Sequence, residues 1–101
     1  LSVDNIALPN GFSIKQNYPN PFNPSTRIKY SLRESALVSI SIFSLSGRRV
    51  IDLVHNHHGP GEYSVEWDGK DKLGNKVSTG IYIYRSILND HVDNKKMILA
   101  K

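Results

Sequence analysis

The stretch "VSISIF", residues 38–43, decides the fold. Val38, Ile40 and Ile42 fall on one side of an extended chain, Ser39 and Ser41 on the other. Successive side chains of a strand point to opposite faces, so this segment has one dry face and one wet face. Its β-branched residues are stiff at χ1 and suit a pleated surface better than a helix.

The same alternation spreads outward. In "RIKYSL" (27–32), Ile28, Tyr30 and Leu32 oppose Arg27, Lys29 and Ser31. After residue 43, "SLSGRRV" places Gly47, which tolerates positive φ, in a tight turn. A strand then runs over residues 48–54. Its apolar residues, Val50, Ile51, Leu53 and Val54, fit a helical period equally well; short length and the preceding turn favour a hairpin strand. "HNHHGPGE" (55–62) reads as a loop from its glycines and proline. In "YSVEW" (63–67), Tyr63, Val65 and Trp67 point inward. "DGKDKLGN" (68–75) is a double turn, broken at Asp68-Gly69 and Gly74-Asn75. "GIYIYRSIL" (80–88) has Ile81, Ile83 and Ile87 on one face and Tyr82, Tyr84 and Leu88 on the other. Apolar residues on both faces predict a central strand, with the side chains of Ile81 to Ile87 joining the shared interior. "NDHVDN" (89–94) reads as a turn and "KKMILAK" (95–101) as the last strand.

With a short strand near Phe12 and Ile14, the chain has about seven strands, no helix and regularly spaced turns, the signature of an all-β, immunoglobulin-like antiparallel sandwich. Residues 1–13, with the turn signal Pro9-Asn10-Gly11, read as a linker from an upstream domain, and 14–101 as the sandwich. The opening "LSVDN" and the single methionine, Met97, read as a piece of a longer protein.

The totals narrow the function. A chain of 101 residues is one ordinary domain with one modest core. The formal charge of +4 is scattered, with adjacent cations only at Arg48-Arg49 and Lys95-Lys96. A nucleic-acid surface gathers its cations into a stripe with stacking aromatics, so no nucleic-acid partner is expected. No cysteine is present, which excludes disulfides, thiolate metal sites and a cysteine nucleophile. No apolar run approaches the roughly 20 residues that a membrane-spanning helix needs, so no membrane insertion is expected.

One stretch is not explained by alternation. "QNYPNPFNPST" (16–26) holds Pro19, Pro21 and Pro24 just before the first good strand. Each proline fixes its own φ and biases the residue before it, here Tyr18, Asn20 and Asn23, toward extended geometry. The stretch is expected to be polyproline-like, to lie across an edge or end of the sandwich because it lacks three amide donors, and to plug the core with Tyr18 and Phe22. Rigidity of this kind lowers the entropy of the unfolded chain. Asn23-Pro24-Ser25 is not a glycosylation acceptor, because proline occupies its middle position.

This stretch, followed by "RIKYSL", resembles the type A C-terminal sorting domains of bacterial proteins exported by the type IX secretion system. That family is similar in turn to the immunoglobulin-like domain of flagellar hook-capping protein. "VSISIFSLSGRRV", "GEYSVEWDGKDKLGNKVSTGIYIYR" and the basic, apolar "KKMILAK" extend the likeness over roughly residues 14–101. The motif residues are Asn17, Tyr18, Pro19, Asn20, Pro21, Phe22, Asn23 and Pro24 in the first block, and Trp67, Asp68, Gly69, Gly80 and Tyr82 in the second. The histidine-rich "HNHHGPG" and Ser44 depart from the family pattern. The resemblance implies a secreted or surface-exposed protein, an upstream cargo domain, recognition by outer-membrane secretion machinery, and a sortase that removes the domain. A recognition strip of Lys95, Lys96, Met97, Ile98, Leu99 and Lys101 is expected, read by β-strand addition to the final strand with the lysines giving charge selectivity.

Reaction chemistry finds little support. Glu62 and Glu66 are four residues apart, about 13 Å along a strand, whereas glycosidase carboxylate pairs lie roughly 5 to 9.5 Å apart. His55, His57 and His58, with Asp52 or His91, fall short of a supported zinc set, and a polar loop is the expectation. "DGKDKLGN" puts lysines where a calcium loop needs oxygen ligands and lacks its closing glutamate. No catalytic residue, cofactor or metal is assigned. Tyr63 and Trp67 on one face leave two alternatives to sorting: a carbohydrate-binding or adhesive module of an extracellular enzyme, and a structural assembly domain of the hook-capping kind.

Overall fold

The computed structural model of the chain describes residues 11–100. Seven strands form: β1 (Ser13–Ile14), β2 (Thr26–Leu32), β3 (Ala36–Ser44), β4 (Arg49–His58), β5 (Gly61–Trp67), β6 (Gly80–Leu88) and β7 (His91–Leu99). They make two antiparallel sheets, β1-β2-β5 and β4-β3-β6-β7. The expected immunoglobulin-like sandwich is therefore what the chain adopts, and β6 is the central strand that its two apolar faces predict.

The alternating positions build the core. Ile28, Tyr30 and Leu32 of β2 face Val38, Ile40 and Ile42 of β3, all buried, with Trp67 of β5 and Met97 and Leu99 of β7. Burial of such side chains contributes about 1.5–3 kcal/mol each relative to exposure, before conformational entropy is subtracted.

The ambiguous apolar pattern of β4 has a specific cause. Its pairing with β3 slips twice, between Ile40 and Ser41 and between Ile42 and Phe43. Ile40 faces Val54 and Ser41 faces Asp52, so Leu53 is extra; Ile42 faces Ile51 and Phe43 faces Arg49, so Val50 is extra. Each bulge resets the in–out parity, which turns a strand's period into one that imitates a helix. Strand β4 also runs further than expected. His55, Asn56, His57 and His58 pair with Ser39, Val38, Leu37 and Ala36, so the histidines are strand residues and the loop shrinks to Gly59-Pro60. The turn expected over 89–94 shrinks likewise to Asn89-Asp90. Asn89 takes φ 57° and bonds both backbone groups of Leu37, a conformation that asparagine tolerates.

Strand β6 corrects the expectation for the interior. Tyr82, Tyr84, Ser86 and Leu88 are buried, while Ile81, Ile83 and Ile87 turn outward. The tyrosines occupy the core because their hydroxyls find partners at its margin. Tyr82 donates to the Ser78 carbonyl at 2.6 Å and Tyr84 to the Lys15 carbonyl at 2.8 Å. Of the linker expected over 1–13, residues 1–10 lie outside the described residues. Phe12 is buried in the core and Ser13 pairs in β1, so these two belong to the sandwich.

On the outer face of β3 and β4, Asp52 accepts a hydrogen bond from the Ser41 hydroxyl at 2.6 Å and pairs with Arg49. The Ser41 hydroxyl is the largest influence; with Arg49 and His55 it holds the Asp52 carboxyl below its ordinary 3.8, against the opposing effect of burial. A depressed carboxyl stabilises the fold above its unfolded value, and that contribution is lost as pH falls through the folded value. Asp52 is half exposed, so solvent keeps the effect small. In urea titrations stepped from about pH 6 to about pH 2, Asp52→Asn is expected to lose less stability on acidification than the parent. Identical acid slopes would contradict this assignment.

Candidate functional site

The two motif blocks meet at one end of the sandwich, where β7 finishes. From the N-terminal side, Asn17 is buried and acts as a hub. Its amide donates to Thr26 Oγ1 at 2.9 Å and to the Pro19 carbonyl at 3.2 Å, and its Oδ1 accepts from Gln16. Thr26 in turn donates to the Pro19 carbonyl at 2.8 Å, and the Asn17 N–H reaches the Tyr84 hydroxyl at 3.1 Å. The buried side-chain polar atoms of Asn17 and Thr26 are thus paired, as burial requires.

Residues 18–24 do not run as one polyproline chain. They bend at Pro19–Pro21 and at Asn23–Pro24, and touch the sheets at Tyr18 and Phe22. The peptide bonds before Pro19, Pro21 and Pro24 are cis. Tyr18 exchanges backbone bonds with Arg27 of β2, at 2.9 and 3.0 Å. Its ring, expected in the core, is 81% exposed: pairing with β2 turns it out, and the plug is Phe22 alone. The Phe22 ring is buried against Trp67 at 5.6 Å, and Trp67 meets Tyr82 edge-on at 5.3 Å. The Trp67 indole N–H donates to the Lys70 carbonyl at 2.9 Å.

Gly69 explains the Trp-Asp-Gly sequence. It takes φ +76°, and a Cβ there would stand 3.1 Å from the Pro24 carbonyl oxygen and against Leu99. Only glycine combines that backbone conformation with that approach. Asp68 and Asp71 serve the turn: Asp68 Oδ1 accepts from the Lys70 N–H, and Asp71 Oδ1 from the Leu73 and Asn75 N–H groups. Gly80 opens β6 opposite Leu99.

The same segment closes the edge of β7. Phe22 donates to the Ile98 carbonyl at 2.9 Å and accepts from the Ala100 N–H at 2.8 Å. Asn20 Oδ1 accepts from the Ile98 N–H at 2.9 Å, and Gln16 donates to the Lys96 carbonyl at 2.7 Å. An incoming strand needs these backbone groups, so residues 96–100 are not an open template in the folded domain. The anticipated recognition strip is divided. Met97 and Leu99 are buried, Lys96 and Ile98 are exposed, Lys95 is half-buried beside Asp93, and Lys101 lies outside the described residues.

No reactive constellation accompanies this arrangement among the described residues. Glu62 and Glu66 point outward from β5, and Glu66 pairs with Arg27 at 3.1 Å. His58 stacks on Tyr63 at 4.4 Å and shares a 3.1 Å hydrogen bond with Tyr30, whose hydroxyl is pushed up by burial and by Tyr63. Among the described residues, no three of histidine, aspartate and glutamate gather as metal ligands, and no helix is long and apolar enough to cross a membrane. A hollow of about 430 Å³ lies open on the outer face of β1-β2-β5, and its lining includes one carboxylate, Glu62.

The motif residues of this two-sheet sandwich thus tie one end and one edge together. The chain belongs to the secretion system C-terminal sorting domain family, which it matches over residues 16–100. No curated protein matches it. Among solved structures it is similar to dimeric latent PorU from Porphyromonas gingivalis, with 24% identity and a TM-score of 0.70 over 97% of this chain and 10% of that one. It is also similar to PorZ of that organism, an essential surface component of the type-IX secretion system, with 18% identity and a TM-score of 0.55 over 90% and 12% of the chains. The DNA glycosylase AlkC of Pseudomonas fluorescens, with 15% identity and a TM-score of 0.52 over 89% and 30%, shares the fold as well. These likenesses concern the fold, and this chain spans less than a third of each of those proteins. Family membership makes the chain a C-terminal sorting signal, which directs an upstream cargo to the cell surface or the exterior.

Loss of the Phe22 plug removes a buried ring and loosens the β7 edge. Phe22→Ala is expected to cost about 3–5 kcal/mol, and Tyr18→Ala to stay within about 0.5 kcal/mol. Chemical denaturation of both variants checks this, and the opposite order would return Tyr18 to the core.

Proposed function

We propose that this chain is the non-catalytic sorting module of a longer protein exported by a type IX secretion system, and that outer-membrane secretion machinery recognises it in its folded form. The family match over residues 16–100 carries the reading. Removal of the domain by a sortase belongs to the same proposal, as does kinship with the hook-capping domain, which rests on architecture alone.

Recognition in this reading uses side chains rather than the backbone of the last strand. Backbone groups of residues 96, 98 and 100 are already bonded to Gln16, Asn20 and Phe22, whereas the Lys96 and Ile98 side chains stand in solvent. The residues before Phe12 are the natural linker to the cargo.

A reporter carrying a Sec signal peptide and fused at its C-terminus to residues 1–101, expressed in a bacterium with a type IX system, tests the function. Surface or medium localisation is expected, and loss of it in a strain lacking the translocon. Periplasmic retention equal to that of the unfused reporter would reject the sorting role.

A further inference from the structure

The two sheets turn very different outer faces to solvent. On β1-β2-β5 the outward positions are Ser13, Lys15, Lys29, Ser31, Glu62 and Ser64, joined by the Arg27–Glu66 pair. That is an ordinary wet face. On β4-β3-β6-β7 the outward positions include two apolar clusters, separated by the polar row Asp52, Ser41, Arg85 and Asn94. Ile81 (41% exposed) stands directly opposite Ile98 (42%), and Ile87 opposite Val92 (56%), with Leu37 (37%) at the start of β3. Ile83 lies beside Phe43, on which Arg49 and Arg85 stack at 5.2 and 4.8 Å.

Isolated exposed apolar residues need no explanation, but a face with cross-strand pairs of them does. Exposed isoleucines on strands also invite aggregation, so they persist at a cost. Interfaces combine apolar contacts with hydrogen bonds, and this face offers both, with Arg85 between the two apolar clusters. Its charge points to one kind of occupant. Arg49, Arg85 and Lys96 against Asp52 leave three cations and one carboxylate, a formal +2, and that carboxylate is already held by Ser41 and Arg49. A second copy would set this cationic face against itself. A lipid surface is better met by apolar side chains on projecting tips, whereas these lie in the plane of a sheet.

We propose that the outer face of β4-β3-β6-β7 is the docking surface of the domain, and that its occupant is a protein of the secretion machinery that presents apolar side chains together with carboxylates. The proposal rests on the sorting reading and gives it a location. It also accounts for the exposed members of the terminal strip, since Lys96 and Ile98 lie on this face. Met97 and Leu99 act from below, by holding β7 in the sheet.

The reporter fusion described above provides the test. One variant removes apolar contacts (Ile81→Ser, Val92→Ser, Ile98→Ser), a second reverses charge (Arg85→Glu, Lys96→Glu), and a control alters the other sheet (Lys15→Glu, Lys29→Glu). Thermal melting of the isolated domains confirms that each folds; the charge variant touches only exposed positions, so it reports even where the triple variant is destabilised. Export is expected to fall by about tenfold or more in both face variants, the effect of removing central interface residues, and to match the parent in the control. Parent-level export of the folded charge variant, or equal loss in the control, overturns the docking face while leaving the sorting role intact. A parent fusion that is not exported overturns the sorting role and the face with it. Self-association of the purified domain through this face, or binding to phosphatidylglycerol vesicles abolished by the charge variant, would assign the face to a second copy or to lipid and overturn the stated occupant.

Discussion

The contact on which the structure depends is the backbone and ring contact of Phe22 with β7 and Trp67. An antiparallel sandwich of seven strands has four edges, and the edge at β7 is formed by the last residues of the fold. Phe22 bonds that edge through both of its backbone groups and buries its ring beside Trp67, so one residue closes an edge and an end at once. The prolines around it remove amide donors that the segment does not use in pairing. The asparagines supply what remains: Asn17 fixes the entry to the segment and Asn20 takes the Ile98 N–H. Gly69 and Leu99 complete the corner from the other side.

This closure bears on the proposed reading of the sorting signal. A free terminal strand offers its backbone to any partner with an exposed sheet edge, a nonspecific and aggregation-prone mode. Here the Lys96 carbonyl, both backbone groups of Ile98 and the Ala100 N–H are bonded within the domain, which in the proposed reading leaves information to side chains. In the proposed reading, specificity rests on which residues turn outward, and these differ between the two sheets: polar on β1-β2-β5, apolar clusters with interspersed cations on β4-β3-β6-β7.

Much of the fold was legible in the sequence because period-two alternation is a direct consequence of strand geometry. Residues 27–32, 38–43 and 63–67 needed nothing else. The reading weakened where geometry departs from that period. The two bulges of β4 hid a ten-residue strand behind a helix-like pattern, and the loop composition of residues 55–60 hid four histidine and asparagine positions that pair with β3. In β6 hydrophobicity ranked isoleucine above tyrosine for the interior, yet the tyrosines are inside because their hydroxyls reach carbonyls at the margin. Tyr18 and Phe22 are interchangeable by composition; only the bridge to Arg27 decides which ring turns out. For the site, the motif residues were identified from resemblance, but their convergence on the edge of β7 depends on long-range hydrogen bonds that no local pattern encodes.

Native-state amide hydrogen exchange tests the edge closure most directly, since each protecting bond is assigned to one N–H. The account predicts that the Phe22, Ile98 and Ala100 amides exchange only with opening free energies near that of global unfolding, as for the centre of β3. Exchange of Phe22 and Ala100 at the rate of a free loop, with β3 still protected, would show that the proline-rich segment does not hold the edge of β7 and would contradict it.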